Sequence, residues 1–270
     1  MSNVSLALKA ALNLQKLRET RPLIHNITNY VVMNYTANAL LSCGASPVMA
    51  HAVEEVEEMV SMAGALVLNI GTLTPAWIDA MIVAGKKANQ LNIPVVLDPV
   101  GSGATKLRTR SAKRILEEVT ISVIRGNASE VLSLTEAGSG TKGVDSVHRV
   151  EDVAEMAGEL AEKLVTTLAI TGQVDLITDG TRVYRVSNGH ELMARVTGTG
   201  CTASALVGAF LAVDKNAAHA ATTALSYLGL AGEKAAITAT GPGSFQMGML
   251  DALFNLEGKE MEKGAKIEAS

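Results

Sequence analysis

Residues 65–101 read ALVLNIGTLTPAWIDAMIVAGKKANQLNIPVVLDPVG. Two apolar runs, Ala65 to Gly71 and Ile93 to Gly101, stand at its ends. Neither alternates with polar residues, so each predicts a strand buried on both faces. Between them, Thr74 followed by Pro75 is a capping residue before the proline favoured at a first helical position. That predicts a helix from Pro75 to Leu91 and, with its flanking strands, a parallel strand–helix–strand unit.

The same alternation extends outward in both directions. PLIHNIT, ASPVMA and TISVIRGN read as further strands, and helices are expected near Tyr30 to Ser42, Val53 to Ala63, Thr109 to Val119, Ala128 to Glu136 and Val150 to Leu164. After the strand TLAITG, the runs VDLITD and RVYRVS meet across Asp179-Gly180-Thr181, a hairpin signal in which glycine supplies positive φ. From Thr199 onward the chain reads as all helix, followed by a polar tail after Glu257. The expectation is an α/β fold with a mainly parallel central sheet, an antiparallel hairpin edge and helices on both faces. Nothing divides residues 1–270, so one domain is expected.

Composition narrows the function. With 48% hydrophobic residues and a formal net charge of −4, the chain has ample core material and lacks the basic excess that neutralises nucleic-acid phosphates. Two cysteines, Cys43 and Cys201, make neither a disulfide framework nor a zinc site. No apolar run approaches the roughly 20 residues that span a bilayer, and the N-terminal residues suit an amphipathic helix better than a signal peptide. A soluble, cytoplasmic protein without nucleic-acid or membrane partners is expected.

In open α/β sheets, ligands bind beyond the carboxyl ends of the strands. HNITN, Met49, DPVGSG, RGNASE and the Thr171-Gly172 pair all fall at such ends. In VTGTGCTASALVGAF, residues 196–210, Gly198 and Gly200 lead into a helix whose first amides and partial positive charge make an anion hole. The other reading is a glycine-rich entrance that only permits close packing. Gly198-x-Gly200-x-x-Ala203 also satisfies a dinucleotide fingerprint, but no second strand with an acidic end follows it. GSGTKG, residues 138–143, only looks like a phosphate-binding P-loop.

Asp98 and Glu130, each at a strand end, suit magnesium-assisted phosphoryl transfer; read singly, they are a turn residue and a first-turn helix acid. Met49 and Asn29 would supply an apolar wall and one amide to a small heterocycle, or serve as core and cap. Arg125 and Thr171 would contact nucleotide phosphates. Cys201, in the first turn of the glycine-led helix, is expected to have a thiol pKa below the free value of about 8.5. A nucleophile paired with His25 or His51 is disfavoured, because a thiol hydrolase has no use for Asp98 and Glu130.

Together, HNITNYVVMNYTANALLSCGASPVMAHAVEE, ALVLNIGTL, DPVGSGATKLRT, IRGNASE, ITGQVD, VTGTGCTASALVGAF and GPGSFQ resemble the hydroxyethylthiazole kinase family of the ribokinase-like superfamily, from about Pro22 to Phe254. The resemblance implies a ribokinase-like three-layer sandwich and phosphorylation of the primary alcohol of hydroxyethylthiazole by ATP with Mg²⁺ in thiamine salvage. It also implies a homotrimer whose sites form between subunits. By position, Met49 and Gly198 would contact the thiazole, Asn29 and Val31 would line its pocket, and Arg125 and Thr171 would contact ATP. Asp98 and Glu130, the latter in a match to the N-x-x-E motif, would organise Mg²⁺ directly or through water. The glycines Gly198 and Gly200 would receive the transferred phosphoryl group. Cys201 stands where most of the superfamily has an aspartate base, which leaves it as a weak base or an alcohol-orienting group. A sibling kinase acting on hydroxymethylpyrimidine and a non-catalytic thiazole sensor are the alternatives.

Overall fold

The computed structural model describes residues 5–135 and 150–270, so the 138–143 stretch lies outside the described residues. The chain begins with α1 (Leu6–Thr20), capped by the Ser5 side chain, and enters the sheet at β1 (Leu23–Ile27). There follow α2 (Met33–Cys43), β2 (Ser46–Val48), α3 (Val56–Ser61), β3 (Ala65–Asn69), α4 (Pro75–Gln90), β4 (Val95–Asp98), α5 (Lys106–Glu118), β5 (Val123–Asn127) and α6 (Ala128–Leu132). The second half carries α7 (Val150–Leu164), β6 (Thr167–Thr171), β7 (Asp175–Thr178), β8 (Val183–Val186), a 3₁₀ turn (Glu191–Arg195), α8 (Thr199–Leu211), α9 (Ala217–Ala236), α10 (Pro242–Asn255), α11 (Gly258–Gly264) and β9 (Ile267–Ala269).

One sheet runs in the order β2-β1-β3-β4-β5-β6-β7-β8-β9. Pairing is parallel from β2 to β6 and antiparallel from β6 to β9. The 65–101 unit forms as its pattern requires. Thr74 accepts a hydrogen bond from Trp77 N–H at 3.2 Å, Pro75 is the first residue of α4, and the two strands pair in register from Leu66↔Val95 to Asn69↔Asp98. The hairpin is also present: Gly180 has φ 91°, and Asp179 Oδ1 accepts from the backbone N–H groups of Thr181 and Arg182.

Because successive strand residues point to opposite faces, each buried strand feeds two cores. Val67, Val96, Val123 and Ala169 pack with α1, α2, α8, α9 and α10, whereas Leu66, Leu68, Val95, Leu97 and Ile124 pack with α3, α4, α5 and α7. Fully burying a side chain of this size stabilises the fold by about 1.5–3 kcal/mol, so the continuous apolar strands hold three layers together. Gly208 lets α8 lie directly on β3: a Cβ there would stand 2.6 Å from Val67 Cγ2.

The expected all-helical ending is corrected by β9, which pairs antiparallel with β8 from Tyr184↔Ala269 to Val186↔Ile267. The supposed polar tail also contains α11. A three-residue edge strand has too few positions to show a period, and long-range bonds hold it, including Lys266 N–H to Asn188 Oδ1 at 2.8 Å. Helix α5 begins at Lys106 rather than Thr109, because Thr105 supplies the cap, accepting from Arg108 N–H at 3.3 Å.

Candidate active site

The strand order places β2 and β3 on opposite sides of β1. Strand carboxyl ends therefore converge where open α/β sheets bind ligands. Asn29 follows β1, Asn69 ends β3, Asp98 ends β4, Arg125 lies in β5 and Thr171 ends β6. The α8 N-terminus covers this edge from one layer.

Asp98 is buried, with 1% of its surface exposed. Its Oδ2 accepts from Ser204 Oγ at 2.6 Å and from Asn69 Nδ2 at 2.9 Å, and Arg125 Nη1 stands 3.8 Å away. Its Oδ1 is equally buried and has no hydrogen-bond partner. Burial pushes the carboxyl pKa up to about 6, against the pull of the Arg125 charge and the Ser204 bond. Arg125 Nη2 donates to Thr171 Oγ1 at 2.7 Å, and its buried Nε has no partner.

Glu130 is at once the first-turn acid and more than that. Asn127 caps α6 by accepting from Glu130 N–H at 2.8 Å, while Glu130 Oε2 accepts from Asn127 N–H at 2.9 Å. Its Oε1 accepts from Gly101 N–H at 2.8 Å, which ties the loop after Asp98 to the start of α6.

The glycine loop packs closely and leads into an open helix end. Gly198 sits in the left-handed region at φ 92°, where a Cβ would stand 2.8 Å from Val32 Cγ1. The α8 ladder begins with Thr202 N–H bonded to Gly198 C=O at 2.8 Å, so the amides of Thr199, Gly200 and Cys201 precede it. A cleft of about 830 Å³ opens beside these residues, with Arg125, Thr171, Thr199, Gly200, Leu225 and Leu228 in its lining. A cleft joining an arginine, a free helix end and an apolar wall is suited to a phosphorylated aromatic ligand.

Residues 14–259 match the family model described as the hydroxyethylthiazole kinase family. The chain belongs to the hydroxyethylthiazole kinase family. It is 62% identical over 270 residues to the hydroxyethylthiazole kinase of Desulfotalea psychrophila, covering 100% of this chain and 98% of that one. To the hydroxyethylthiazole kinase of Chloroflexus aurantiacus it is 51% identical over 255 residues, 94% of this chain and 95% of the other. The solved structure of the family's protein from Pyrococcus horikoshii superposes with a TM-score of 0.89 at 46% identity, over 97% of this chain and 99% of that one. A ribokinase-like superfamily protein from Enterococcus faecalis shares the fold at 14% identity and a TM-score of 0.64, over 94% of this chain and 89% of its own.

Among the residues that the family resemblance marks, Asn29, Asp98, Arg125, Thr171, Gly200 and Cys201 come together. Asn29 Nδ2 points at Cys201 Sγ, 3.4 Å away, and a Cβ on Gly200 would stand 2.8 Å from Arg125 Nη1. Half-buried Met49 follows β2, and Val31 lies in the loop after β1 with 73% of its surface exposed. The expected low thiol pKa of Cys201 is corrected: burial first, and the Asp98 charge second, push it up. Desolvation beside a buried carboxylate outweighs the helix end. Neither candidate histidine is hydrogen-bonded to Cys201; His25 Nε2 bonds Ala50 O at 2.8 Å, and His51 packs on Trp77 with ring centroids 4.7 Å apart. Two residues that the sequence reading passed over, Asn69 and Ser204, hold the Asp98 carboxylate. Their signals were a polar residue closing an apolar strand and a serine among the small apolar residues of α8.

Proposed function

We propose that this chain transfers the γ-phosphoryl group of ATP to the primary hydroxyl of hydroxyethylthiazole, with Mg²⁺, as one kinase domain working in thiamine salvage. The observation that carries the reading is the meeting of the open α8 N-terminus, Arg125 and the buried Asp98 at one sheet edge. In the reaction the alcohol oxygen bonds to the γ-phosphorus, the bond to the β-phosphate oxygen breaks, ADP leaves and the hydroxyl proton is released. Such a transfer depends on positioning and on charge stabilisation. The amides ahead of Thr202 and the Arg125 guanidinium supply fixed positive charge where the phosphoryl oxygens carry negative charge. Arg125 and Thr171 hold the nucleotide phosphates. Asn29, Met49, Val31 and Gly198 line the thiazole pocket. With its thiol pKa raised, Cys201 orients the alcohol rather than taking its proton.

The carboxylates fit Mg²⁺. Asp98 Oδ1 is a buried oxygen without a donor, and both Glu130 oxygens keep a lone pair beyond the amides they accept. Among the described residues no cluster of three or more His, Cys, Asp or Glu makes a complete protein cage. Mg²⁺ characteristically needs only one or two carboxylates, with waters and substrate phosphates completing its shell. Asp98 and Glu130 would hold the ion, directly or through water, and it would supply positive charge against the transferred phosphoryl group.

The homotrimer with shared sites is part of the same proposal. Tyr30 and Val31, adjoining Asn29, are 61% and 73% exposed, which leaves that side of the pocket open for a neighbouring subunit to close. A cytoplasmic location is consistent with the absence, among the described residues, of any helix long and apolar enough to cross a membrane. The test is ATP consumption by purified protein with Mg²⁺, comparing hydroxyethylthiazole with hydroxymethylpyrimidine. Thiazole-dependent turnover is expected. Turnover with the pyrimidine alone would move the chain to a sibling activity, and none with either alcohol would leave a binding protein. Full activity in isolated monomers on dilution would remove the shared site.

A further inference from the structure

A carboxylate can turn about its terminal bond and so aim its oxygens in different directions. At Asp98 two donors hold Oδ2 and so restrict that rotation, leaving the other oxygen, Oδ1, without a partner. We infer that Asn69 and Ser204 are positioning residues: together they occupy one Asp98 oxygen and aim the other, Oδ1, at the metal site, and Asn69 extends the same alignment to Asn29 in the acceptor pocket. The inference rests on the kinase reading above.

Ser204 shows the special arrangement most plainly. A serine or threonine within a helix ordinarily bonds back to the carbonyl four residues earlier, as Thr222 Oγ1 does to Ala218 O at 2.7 Å in α9. Ser204, fully buried in α8 between Ala203 and Ala205, instead reaches across to Asp98 Oδ2 at 2.6 Å. Asn69 is fixed from both sides. Its Oδ1 accepts from Gly71 N–H at 2.9 Å, and a backbone amide can only donate. The oxygen must therefore face Gly71, which turns Nδ2 toward Asp98, beside which the strand register already places Asn69. The same Oδ1 accepts from Asn29 Nδ2 at 2.9 Å, and that nitrogen also faces Cys201 Sγ. A continuous line thus runs from buried Ser204 through Asp98 and Asn69 to Asn29 and partly exposed Cys201, joining the phosphate side of the site to the alcohol side.

The test uses Mn²⁺ as probe in the presence of ADP, with free Mn²⁺ followed by electron paramagnetic resonance. Thiazole binding is followed separately by the fluorescence of Trp77, the chain's one tryptophan, whose ring lies 4.9 Å from that of Tyr30. Ser204→Ala suits the small-residue character of α8. It is expected to weaken Mn²⁺ binding by about 10–100-fold, the usual consequence of removing an outer partner of a metal ligand, with thiazole binding unchanged. Asn69→Ala is expected to weaken both. If Asn69→Ala does not fold, Ser204→Ala decides alone. A Ser204→Ala protein that loses thermal stability yet binds Mn²⁺ as the parent does would overturn the inference and leave only a structural hydroxyl. Because the titration needs no turnover, failure of the thiazole reaction would sink the kinase reading while this measurement still decided the role of Ser204.

Discussion

Gly200 makes room for Arg125: a Cβ on the glycine would stand 2.8 Å from the guanidinium Nη1. Gly200 lies within α8, where alanine is favoured over glycine by about 1 kcal/mol, and the group it would strike is the far end of a flexible side chain. Gly200→Ala is therefore expected to change the melting temperature little while moving the guanidinium away from Thr171 and Asp98. The KM for ATP should rise about tenfold, in proportion to a lost charge-assisted contact, with the KM for thiazole little changed. Lost stability with an unchanged ATP KM would show that the glycine serves packing only.

Gly198 should behave in the opposite way. At φ 92° a side chain costs about 1–2 kcal/mol from backbone strain alone, and here it would also meet Val32 Cγ1 at 2.8 Å. Gly198→Ala is expected to lower the melting temperature and to weaken both substrates. Two glycines that read alike in VTGTG thus separate in a thermal melt.

Asp98 and Glu130 are expected to matter for turnover more than for acceptor binding. Asp98→Asn keeps the shape of the side chain and removes the charge behind the free Oδ1, and Glu130→Gln leaves one acceptor oxygen for the amides of Gly101 and Asn127. Each should cut kcat by a hundredfold or more, a drop of about 3 kcal/mol in transition-state stabilisation, while thiazole binding followed at Trp77 changes little. Unchanged turnover in both variants would remove the metal assignment.

The residues that made the fold legible act over short range. The Thr74 and Pro75 start of α4, the unbroken apolar runs of β3 and β4, and the Asp179-Gly180 turn each announce a local conformation, and each formed. The candidate site was legible as a set of strand ends, because topology brings those ends together without any detail of side-chain packing. What stayed hidden depends on contacts across the fold. Ser204 and Asp98 are 106 residues apart in sequence, and a serine among the small residues of α8 does not say which group its hydroxyl faces. The direction of the Cys201 pKa was missed for the same reason. The helix end is visible in the sequence, whereas burial and the charge of Asp98 beside the thiol appear only after folding.

That raised thiol has a kinetic consequence. At neutral pH Cys201 is protonated, so it has no proton-accepting capacity for Cys201→Ser to remove. The variant is expected to retain kcat within about tenfold of the parent, less than the 10²–10⁴-fold that a general base contributes. Its pH–rate profile should match the parent's between pH 6 and 8. A collapse of kcat with unchanged thiazole affinity would restore the cysteine as base.

Below neutral pH, His25 should set part of the stability. Burial lowers its pKa from the ordinary 6.5, only partly offset by its bond to the Ala50 carbonyl and by the charge of Glu55. The unfolded chain therefore takes up this proton as pH falls through about 6.5, while the folded chain does so only at lower pH. With more protons bound in the unfolded state, folding stability falls as pH falls across that window and recovers as pH rises through it. Burial pushes Asp98 and Asp175 up to about 6, so they act in the opposite sense, the folded state taking their protons first. Both are common to the parent and to His25→Gln, whose amide can still donate to Ala50 O, so their contribution cancels in the difference. Calorimetric melts at pH 7.5 and 5.5 should show the parent losing stability relative to His25→Gln on acidification. An equal difference at the two pH values would place the proton uptake elsewhere in the chain.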